Sequence, residues 1–218
     1  RYPGHCRGGR VNALPIVTLV AFILGVIIAY QSAVAMRQFG AEVYVADLIG
    51  ISMVRELAPL MTAILLAGRS GAAFAAEIGT MRVDEEVDAL TTFGFDPVRF
   101  LVLPRVLAAL AVTPLLAVYA DVVSILGGAL ILLTFQVPLV TYFPEVFPLV
   151  QINDLPGGLF KCLVFGLVIA GIGCLRGLQT DRGAAGVGLA TTRSVVSALV
   201  LIVLVDGGFA IVYYHLGI

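Results

Sequence analysis

Five long apolar stretches constrain this chain more than any other feature of its sequence. A helix that crosses a bilayer needs about 20 mostly apolar residues, and the stretches cover about residues 13–36, 48–78, 100–135, 157–178 and 195–216. Because the bilayer offers no water to backbone polar groups, a span must be a helix or part of a closed barrel. The sequence therefore predicts an all-α integral membrane protein with about five transmembrane helices in a single membrane-embedded domain, 1–218.

Composition and charge agree with lipid as the solvent. Hydrophobic residues make up 60% of the chain and charged residues only 12%, whereas soluble domains carry about 25% charged residues. The formal net charge is -1, so we expect no nucleic-acid partner. The three cysteines, Cys6, Cys162 and Cys174, form no CxxC or Cys/His cluster, so we expect small buried side chains and no metal site.

Basic residues predict the orientation of the spans. With the N-terminus in the cytoplasm, ten of the 13 basic residues fall on that side and three on the other. The cytoplasmic side carries an excess of Lys and Arg in membrane proteins. We therefore expect a cytoplasmic N-terminus, a periplasmic C-terminus and a periplasmic segment at 136–156. The three exceptions are Arg37, Arg55 and Lys161; the cytoplasmic set is Arg1, Arg7, Arg10, Arg69, Arg82, Arg99, Arg105, Arg176, Arg182 and Arg193.

The second and third stretches are longer than a bilayer requires, so we expect tilt or kinks at Pro59 and Pro114. Small residues recur at a spacing that permits close helix packing, either within the chain or against a second copy. They are Gly68, Ala72 and Ala76 in the second stretch, and Gly166, Ala170, Gly173 and Gly177 in the fourth.

A short polar segment joins these two long stretches and predicts an amphipathic helix at about 80–94. Gly94 is a stop signal and Pro97 a restart signal. The segment is acidic on the side where basic residues are expected, and a load on it would reach both spans. We interpret it as the point where a soluble motor applies force; a solvated connector is the alternative. Its apolar stripe is Val83, Val87 and Leu90, and its charged residues are Arg82, Asp84, Glu85, Glu86 and Asp88.

Six ordered motifs resemble those of the MlaE/YrbE permease family over about residues 12–218. They are Arg55-Glu-Leu-Ala-Pro59, Ala67-Gly-Arg-Ser-Gly71, Ala76-Glu-Ile-Gly-Thr-Met-Arg82, Glu85-Glu-Val-Asp-Ala-Leu90, Leu103-Pro-Arg105 and Ala190-Thr-Thr-Arg-Ser-Val-Val196. Members similar to this chain often carry a further N-terminal cytoplasmic region. Here Arg1 to Arg10 precede the first span without an initiator Met, and we expect an upstream segment.

The resemblance implies a transport permease of the bacterial inner membrane that has no catalytic site and works as a homodimer. It implies one cytoplasmic ABC ATPase per permease, a periplasmic ring of MCE-domain proteins, and phospholipid as the cargo moved between inner and outer membranes. It also makes the segment around Glu85 to Leu90 the coupling helix that docks on the ATPase. The chain has no GxxxxGK[ST] motif, so ATP and Mg would be bound by the partner and no cofactor by this chain.

Charged residues inside a span are energetically unfavourable in lipid and therefore mark candidate functional sites. Arg55 and Glu56 are such a pair in the second stretch, and the resemblance suggests that they line a lipid cavity where Arg55 meets a phosphate. Tyr30 and Gln31 lie at a similar predicted depth and complete the substrate-binding set. Structural ties to neighbouring spans are the alternative.

Other ionisable groups in the spans are assigned structural roles. Arg69 and Glu77 share a face near the cytoplasmic end and suit packing or snorkelling. Asp121 and Asp206 are isolated acids that suit interhelical hydrogen bonds, and His215 suits the interface. A proton-coupled carrier built on the two acids is one alternative function. A lipid-modifying enzyme is another, but the sequence offers no convergent catalytic groups.

Overall fold

The computed structural model describes residues 13–38, 45–135, 142, 154–181 and 183–216, and within these it contains helices and no strands. We number the helices α1 to α6 in chain order. Five of them are long and apolar enough to cross a membrane, which confirms the predicted all-α fold. Their bounds are α1 (Ala13–Arg37), α2 (Val45–Val83), α3 (Glu86–Thr92), α4 (Val98–Thr134), α5 (Asp154–Leu178) and α6 (Ala184–Leu216).

Three helices, α2, α4 and α6, extend well beyond the thickness of a bilayer. Helix α2 has 39 residues, a length of about 58 Å at 1.5 Å per residue, against a hydrocarbon core of about 30 Å. Helix α6 begins at Ala184, well before the predicted start of the fifth span at 195. The residues between these positions are mostly small or polar, so hydropathy leaves them out although the helical backbone includes them.

Wider π-helical turns interrupt α2 and α4, and two of them precede prolines. In the turn Met53–Leu57, the N–H of Ala58 donates to the carbonyl of Met53, and Pro59 follows. In the turn Val98–Val102, the N–H of Leu103 donates to the carbonyl of Val98, and Pro104 follows. Proline has no N–H, and its ring clashes with the carbonyl four residues earlier, so the helix widens there.

The expected irregularity at Pro59 is therefore present, but Pro114 lies inside the continuous α-helical part of α4. A third π-helical turn, Ala67–Gly71, contains two glycines and no following proline. Single π turns inside α-helices are frequent at functional sites. The two π-helical turns of α2 overlap the first two family motifs of the sequence, Arg55–Pro59 and Ala67–Gly71.

The chain divides into two compact units, which are described separately. The first comprises 1–61 and 116–158. Its core packs α1 on the start of α2 and on the second half of α4, and Tyr142 is buried in it. The Tyr142 hydroxyl donates to the carbonyl of Ile125 at 3.0 Å, and burial raises the Tyr142 pKa to about 12. Apart from Tyr142 and the first residues of α5, the segment 136–156 lies outside the described residues.

The second unit comprises 62–115 and 159–218, and small residues of α5 hold its helices together. A Cβ added at Gly173 would lie 2.8 Å from the carbonyl oxygen of Gly71, and one at Gly177 would lie 2.8 Å from Cβ of Ile78. The predicted packing face of the fourth span is thus used within the chain. At Gly68 an added Cβ would meet nothing within 4 Å. Cys162 and Cys174 are buried free thiols, as expected.

Candidate functional site

The first candidate site is the π-helical turn of α2 that carries Arg55 and Glu56. Met53 and Val54 are buried and anchor this turn in the core of the first unit, whereas Arg55 and Glu56 are half-buried. Neither charged side chain is without an interaction partner in the structure. The turn therefore holds a cation and an anion in a wide, proline-terminated stretch of a predicted span.

The start of α5 lies directly against this turn. A Cβ added at Gly158 would be 2.6 Å from the carbonyl oxygen of Val54, so only a glycine permits the approach of the two backbones. The same Cβ would be 3.8 Å from Cγ of Pro59. The sequence indicated the charged pair but not this contact, because nothing in the pattern relates residue 158 to residue 54.

The other two predicted substrate-binding residues, Tyr30 and Gln31, are exposed on α1. The Tyr30 ring packs near Phe135, with ring centroids 6.1 Å apart. Ala29 and Ala33 form the face of α1 that enters the core, and at about 100° per residue Gln31 lies on the opposite face. The roles of Tyr30 and Gln31 in substrate binding stay predictions.

The second candidate site is the polar segment between α2 and α4, which differs in shape from the expected helix at about 80–94. Helix α2 continues to Val83, a turn follows at Asp84 and Glu85, and α3 covers only Glu86–Thr92. Glu85 has φ 62 and ψ 13, a left-handed conformation that is unfavourable for a residue with a Cβ. The carbonyl of Glu85 accepts from Ala89, so this residue ends one helix and begins the next.

The predicted stop and restart are confirmed in detail. Gly94 has φ +81, its N–H donates to Thr91, and the N–H of Phe95 donates to Leu90. These bonds are those of a Schellman C-cap with glycine in the left-handed position. Oδ1 of Asp96 then accepts from the N–H of Val98 at 3.0 Å, which caps the start of α4 around Pro97.

The charged and apolar residues of this segment have separate surroundings. Val87 is only 7% exposed within this single chain, so it anchors α3 to the permease itself. Val83 and Leu90 are half-buried. The charged residues, Arg82, Asp84, Glu85, Glu86 and Asp88, are all exposed. Four acids against one Arg give this surface an excess of negative charge.

An exposed aromatic residue that the sequence reasoning missed stands beside these acids. Phe93 is 79% exposed, and Phe95 and Phe100 are exposed as well, with their rings 6.0 Å apart. The signal that would have found Phe93 is its position just before the glycine stop, where the Schellman turn leaves the side chain without a helix to cover it. The acids of 84–88 together with Phe93 are called the acidic–aromatic surface below.

An ion pair joins the two helices on either side of this segment. Nη2 of Arg105 in α4 lies 3.2 Å from Oε2 of Glu77 in α2, and Nη1 of Arg105 donates to the carbonyl of Leu101 at 2.8 Å. Glu77 was expected to share a face of α2 with Arg69 in a packing or snorkelling role, and the structure adds an ion-pair partner for Glu77 on α4. The helices on either side of α3, α2 and α4, are therefore joined by this ion pair.

The two isolated acids of the spans, Asp206 and Asp121, differ in whether a partner is found for them. Asp206 of α6 pairs with Lys161 of α5, with Nζ 2.5 Å from Oδ1, and Lys161 is fully buried. Asp206 thus has an interhelical partner, as the sequence predicted. Lys161 was counted among the basic residues on the periplasmic side, but it is an interior residue. Asp121 belongs to the other unit, and in the part of the chain that the structure describes its Oδ1 has no hydrogen-bond partner. No group of three potential metal ligands occurs among the described residues.

Comparison with known proteins identifies the family of this chain. The model of the family described as Permease MlaE matches residues 5–212. A probable ABC transporter permease protein of Rickettsia typhi is 39% identical over 194 residues, which cover 88% of this chain and 75% of that protein. One from Synechocystis is 40% identical over 213 residues, covering 91% and 81%. The chloroplastic protein TRIGALACTOSYLDIACYLGLYCEROL 1 of Arabidopsis thaliana is 32% identical over 196 residues, covering 89% and 56%.

Five helices that could span a membrane, together with the match to a permease family over most of the chain, define a multi-pass membrane protein of the transport permease class. The chain belongs to the MlaE permease family.

Proposed function

We propose that this chain is the membrane subunit of an ATP-driven transporter that moves phospholipid between the inner and outer membranes of a bacterium. The observation that carries the proposal is the half-buried Arg55–Glu56 pair, held in a π-helical turn of a spanning helix. A guanidinium in this position suits the phosphate of a lipid headgroup. The name of the Arabidopsis relative contains that of a glycerolipid, which supports a lipid cargo.

The acidic–aromatic surface is the docking site for the motor in this proposal. A cytoplasmic ABC ATPase with a basic groove complements the exposed acids, and Phe93 supplies a large apolar side chain, the kind that anchors protein interfaces. Val87, being buried, holds α3 to the permease so that force on α3 is passed on. The names of the bacterial relatives as ABC transporter permeases support an ATPase partner.

The remaining parts of the assembly follow the family resemblance. We infer a homodimer of this chain, one ATPase per permease, a ring of MCE-domain proteins on the periplasmic side, and a cytoplasmic N-terminus with the C-terminus outside. ATP and Mg would be bound by the ATPase. Reporters fused after Ile218 and between Arg82 and Pro97 test the orientation, which fails if both are active on the same side.

Lipid recovery tests the substrate site. The complex is purified in mild detergent as the unaltered chain, Arg55→Ala, Glu56→Ala and the control Arg99→Ala, and bound phospholipid is quantified after extraction. Arg99 is an exposed arginine outside the proposed site. We expect both site variants to assemble normally and to carry less phospholipid than the control. A variant that fails to assemble shows a structural tie instead, and normal lipid in both refutes the assignment.

Pull-down of the ATPase tests the docking surface. Glu86→Lys is compared with Arg99→Glu, a charge reversal at another exposed residue of the same unit. Phe93→Ser is compared with Tyr214→Ser, an exposed aromatic residue at the far end of α6. Like charges at an interface disfavour association, so Glu86→Lys and Phe93→Ser should lose ATPase binding while membrane levels stay normal. Full binding in both variants would leave α3 as a solvated connector.

A further inference from the structure

A polar pocket lies between the end of α5 and the first turns of α6, entirely within the second unit. The turn that carries Arg55 belongs to the first unit. Part of the Ala190–Val196 motif contributes to the wall of the pocket, a motif to which neither proposed site assigns a role. The walls of the pocket include Arg176, Gln179, Thr180, Asp181, Ala190 and Arg193.

Two arginines from different helices share this pocket. Nη2 of Arg176 donates to Oγ of Ser197 at 3.0 Å, which fixes the side chain of α5 against α6. Arg193 precedes Ser197 by one helical turn, so the two residues lie on the same face of α6. Gln179 and Thr180 come directly after the end of α5, and Oγ1 of Thr180 donates to the carbonyl of Arg176 at 3.3 Å. The pocket thus gathers two guanidinium groups and further polar side chains.

One N–H donor of these guanidinium groups lacks an acceptor among the described residues. Nε of Arg176 is buried and has no hydrogen-bond partner within the described part of the chain. A buried donor without an acceptor is destabilising, and guanidinium groups pair best with carboxylate or phosphate oxygens. With two arginines and one aspartate on its walls, the pocket carries a net positive charge, and this charge favours an anionic oxygen ligand.

The position of the pocket along the spans indicates where that ligand comes from. The apolar part of the fourth span ends at 178 and that of the fifth begins at 195, and the pocket residues fall at and between these limits. Basic residues predict that this end is cytoplasmic. Headgroup phosphates of the cytoplasmic leaflet lie at this level, where arginines between spanning helices bind them.

We propose that the Arg176–Arg193 pocket binds the phosphate group of a glycerophospholipid in the cytoplasmic leaflet. Arg176 and Arg193 hold the phosphate oxygens, and Asp181 accepts a hydrogen bond from a hydroxyl or ammonium of the headgroup. This lipid is a bound structural or regulatory ligand, so the proposal does not depend on lipid being the transported cargo.

Photocrosslinking in nanodiscs tests the site. The full chain, with the subunits that co-purify with it, is placed in phosphatidylcholine nanodiscs containing a phosphatidylglycerol with a photoreactive headgroup. We expect crosslinks in peptides from 176–193. Loss of a charge-assisted hydrogen bond of about 1.5–3 kcal/mol predicts a loss of about tenfold or more in Arg193→Gln and in Arg176→Gln. Arg99→Gln is the matched control and should crosslink as the unaltered chain does.

The remaining arms identify the ligand and keep the test independent of folding. Arg193 is exposed, so its replacement should leave the circular dichroism spectrum unchanged, and Arg193→Lys should recover part of the crosslinking. Arg55→Ala should crosslink normally. A photoreactive diacylglycerol, which lacks the phosphate, should not label 176–193. Equal labelling by diacylglycerol, displacement by soluble glycerophosphate, labelling of a partner subunit at this pocket, or unchanged labelling in Arg193→Gln would each overturn the proposal.

Discussion

The close contact between Gly173 of α5 and Gly71 of α2 allows a quantitative test of how the second unit is packed. A Cβ at Gly173 would lie 2.8 Å from the carbonyl oxygen of Gly71, 3.3 Å from its Cα and 3.3 Å from Cβ of Phe74. The nearest atoms belong to backbone and cannot rotate away, so the helices must separate. Overpacking of this kind destabilises by about 1–3 kcal/mol. At Gly171, two residues earlier on the same helix, an added Cβ would meet nothing within 4 Å.

The two positions form a matched pair because both lie within α5. Replacing glycine by alanine inside a helix favours folding by about 0.5–1 kcal/mol, and this gain is common to both variants. The difference between Gly173→Ala and Gly171→Ala therefore equals the packing penalty, about 1–3 kcal/mol or roughly a 5- to 150-fold change in the unfolding equilibrium. Because the chain has no Trp, unfolding in mixed micelles of dodecyl sulfate is followed by circular dichroism. Equal stability of the two variants would refute the close approach of α5 to Gly71.

Three further predictions concern charges and backbone strain. Asp206→Ala should destabilise the protein by about 3–5 kcal/mol because it leaves Lys161 charged and buried. Lys161→Met with Asp206→Leu should recover most of that loss in the same unfolding assay, and a double variant no better than the single would contradict a paired role. Glu77→Arg should lower lipid transfer per ATP in proteoliposomes, and adding Arg105→Glu should restore it if the two residues act as a pair; additive losses would count against the tie. Glu85→Gly should slow amide exchange in α3 relative to Glu85→Ala, since glycine relieves roughly 1–2 kcal/mol of left-handed strain, and equal exchange rates would show that the strain is absent.

The pattern of apolar stretches was sufficient for the fold class. Each of the five predicted spans corresponds to a long helix, because a bilayer requires long apolar segments and allows few alternatives for their backbone. The helix end at Gly94 and the helix start at Pro97 were also predictable from the sequence, because both depend on hydrogen bonds between near neighbours in the chain. The ends of the spans were predicted less accurately, since α6 begins at Ala184 and its first residues, before 195, are small or polar.

The roles of individual charges depended on which helices meet. The sequence counted Lys161 among the basic residues near the span ends, whereas the structure buries it beside Asp206. Nothing in the sequence indicated that Glu77 pairs with Arg105. The Arg176–Arg193 pocket went unnoticed for the same reason. A sequence pattern reports the periodicity of one helix, and it carries no information about which residue of a distant helix lies opposite.

The sequence by itself determined that this protein is helical, enters a membrane, belongs with the MlaE permeases and carries charges at Arg55 and Glu56. These features depend on solvent partitioning and on local backbone chemistry, which act over one helix at a time. Only the tertiary structure decided that Val87 faces inward while the acids beside it face outward, that Gly158 lies against the turn before Pro59, and that Arg176 shares a pocket with Arg193. Such relations arise when helices distant in sequence pack at van der Waals distance, and the geometry of that packing is set by all the contacting side chains together.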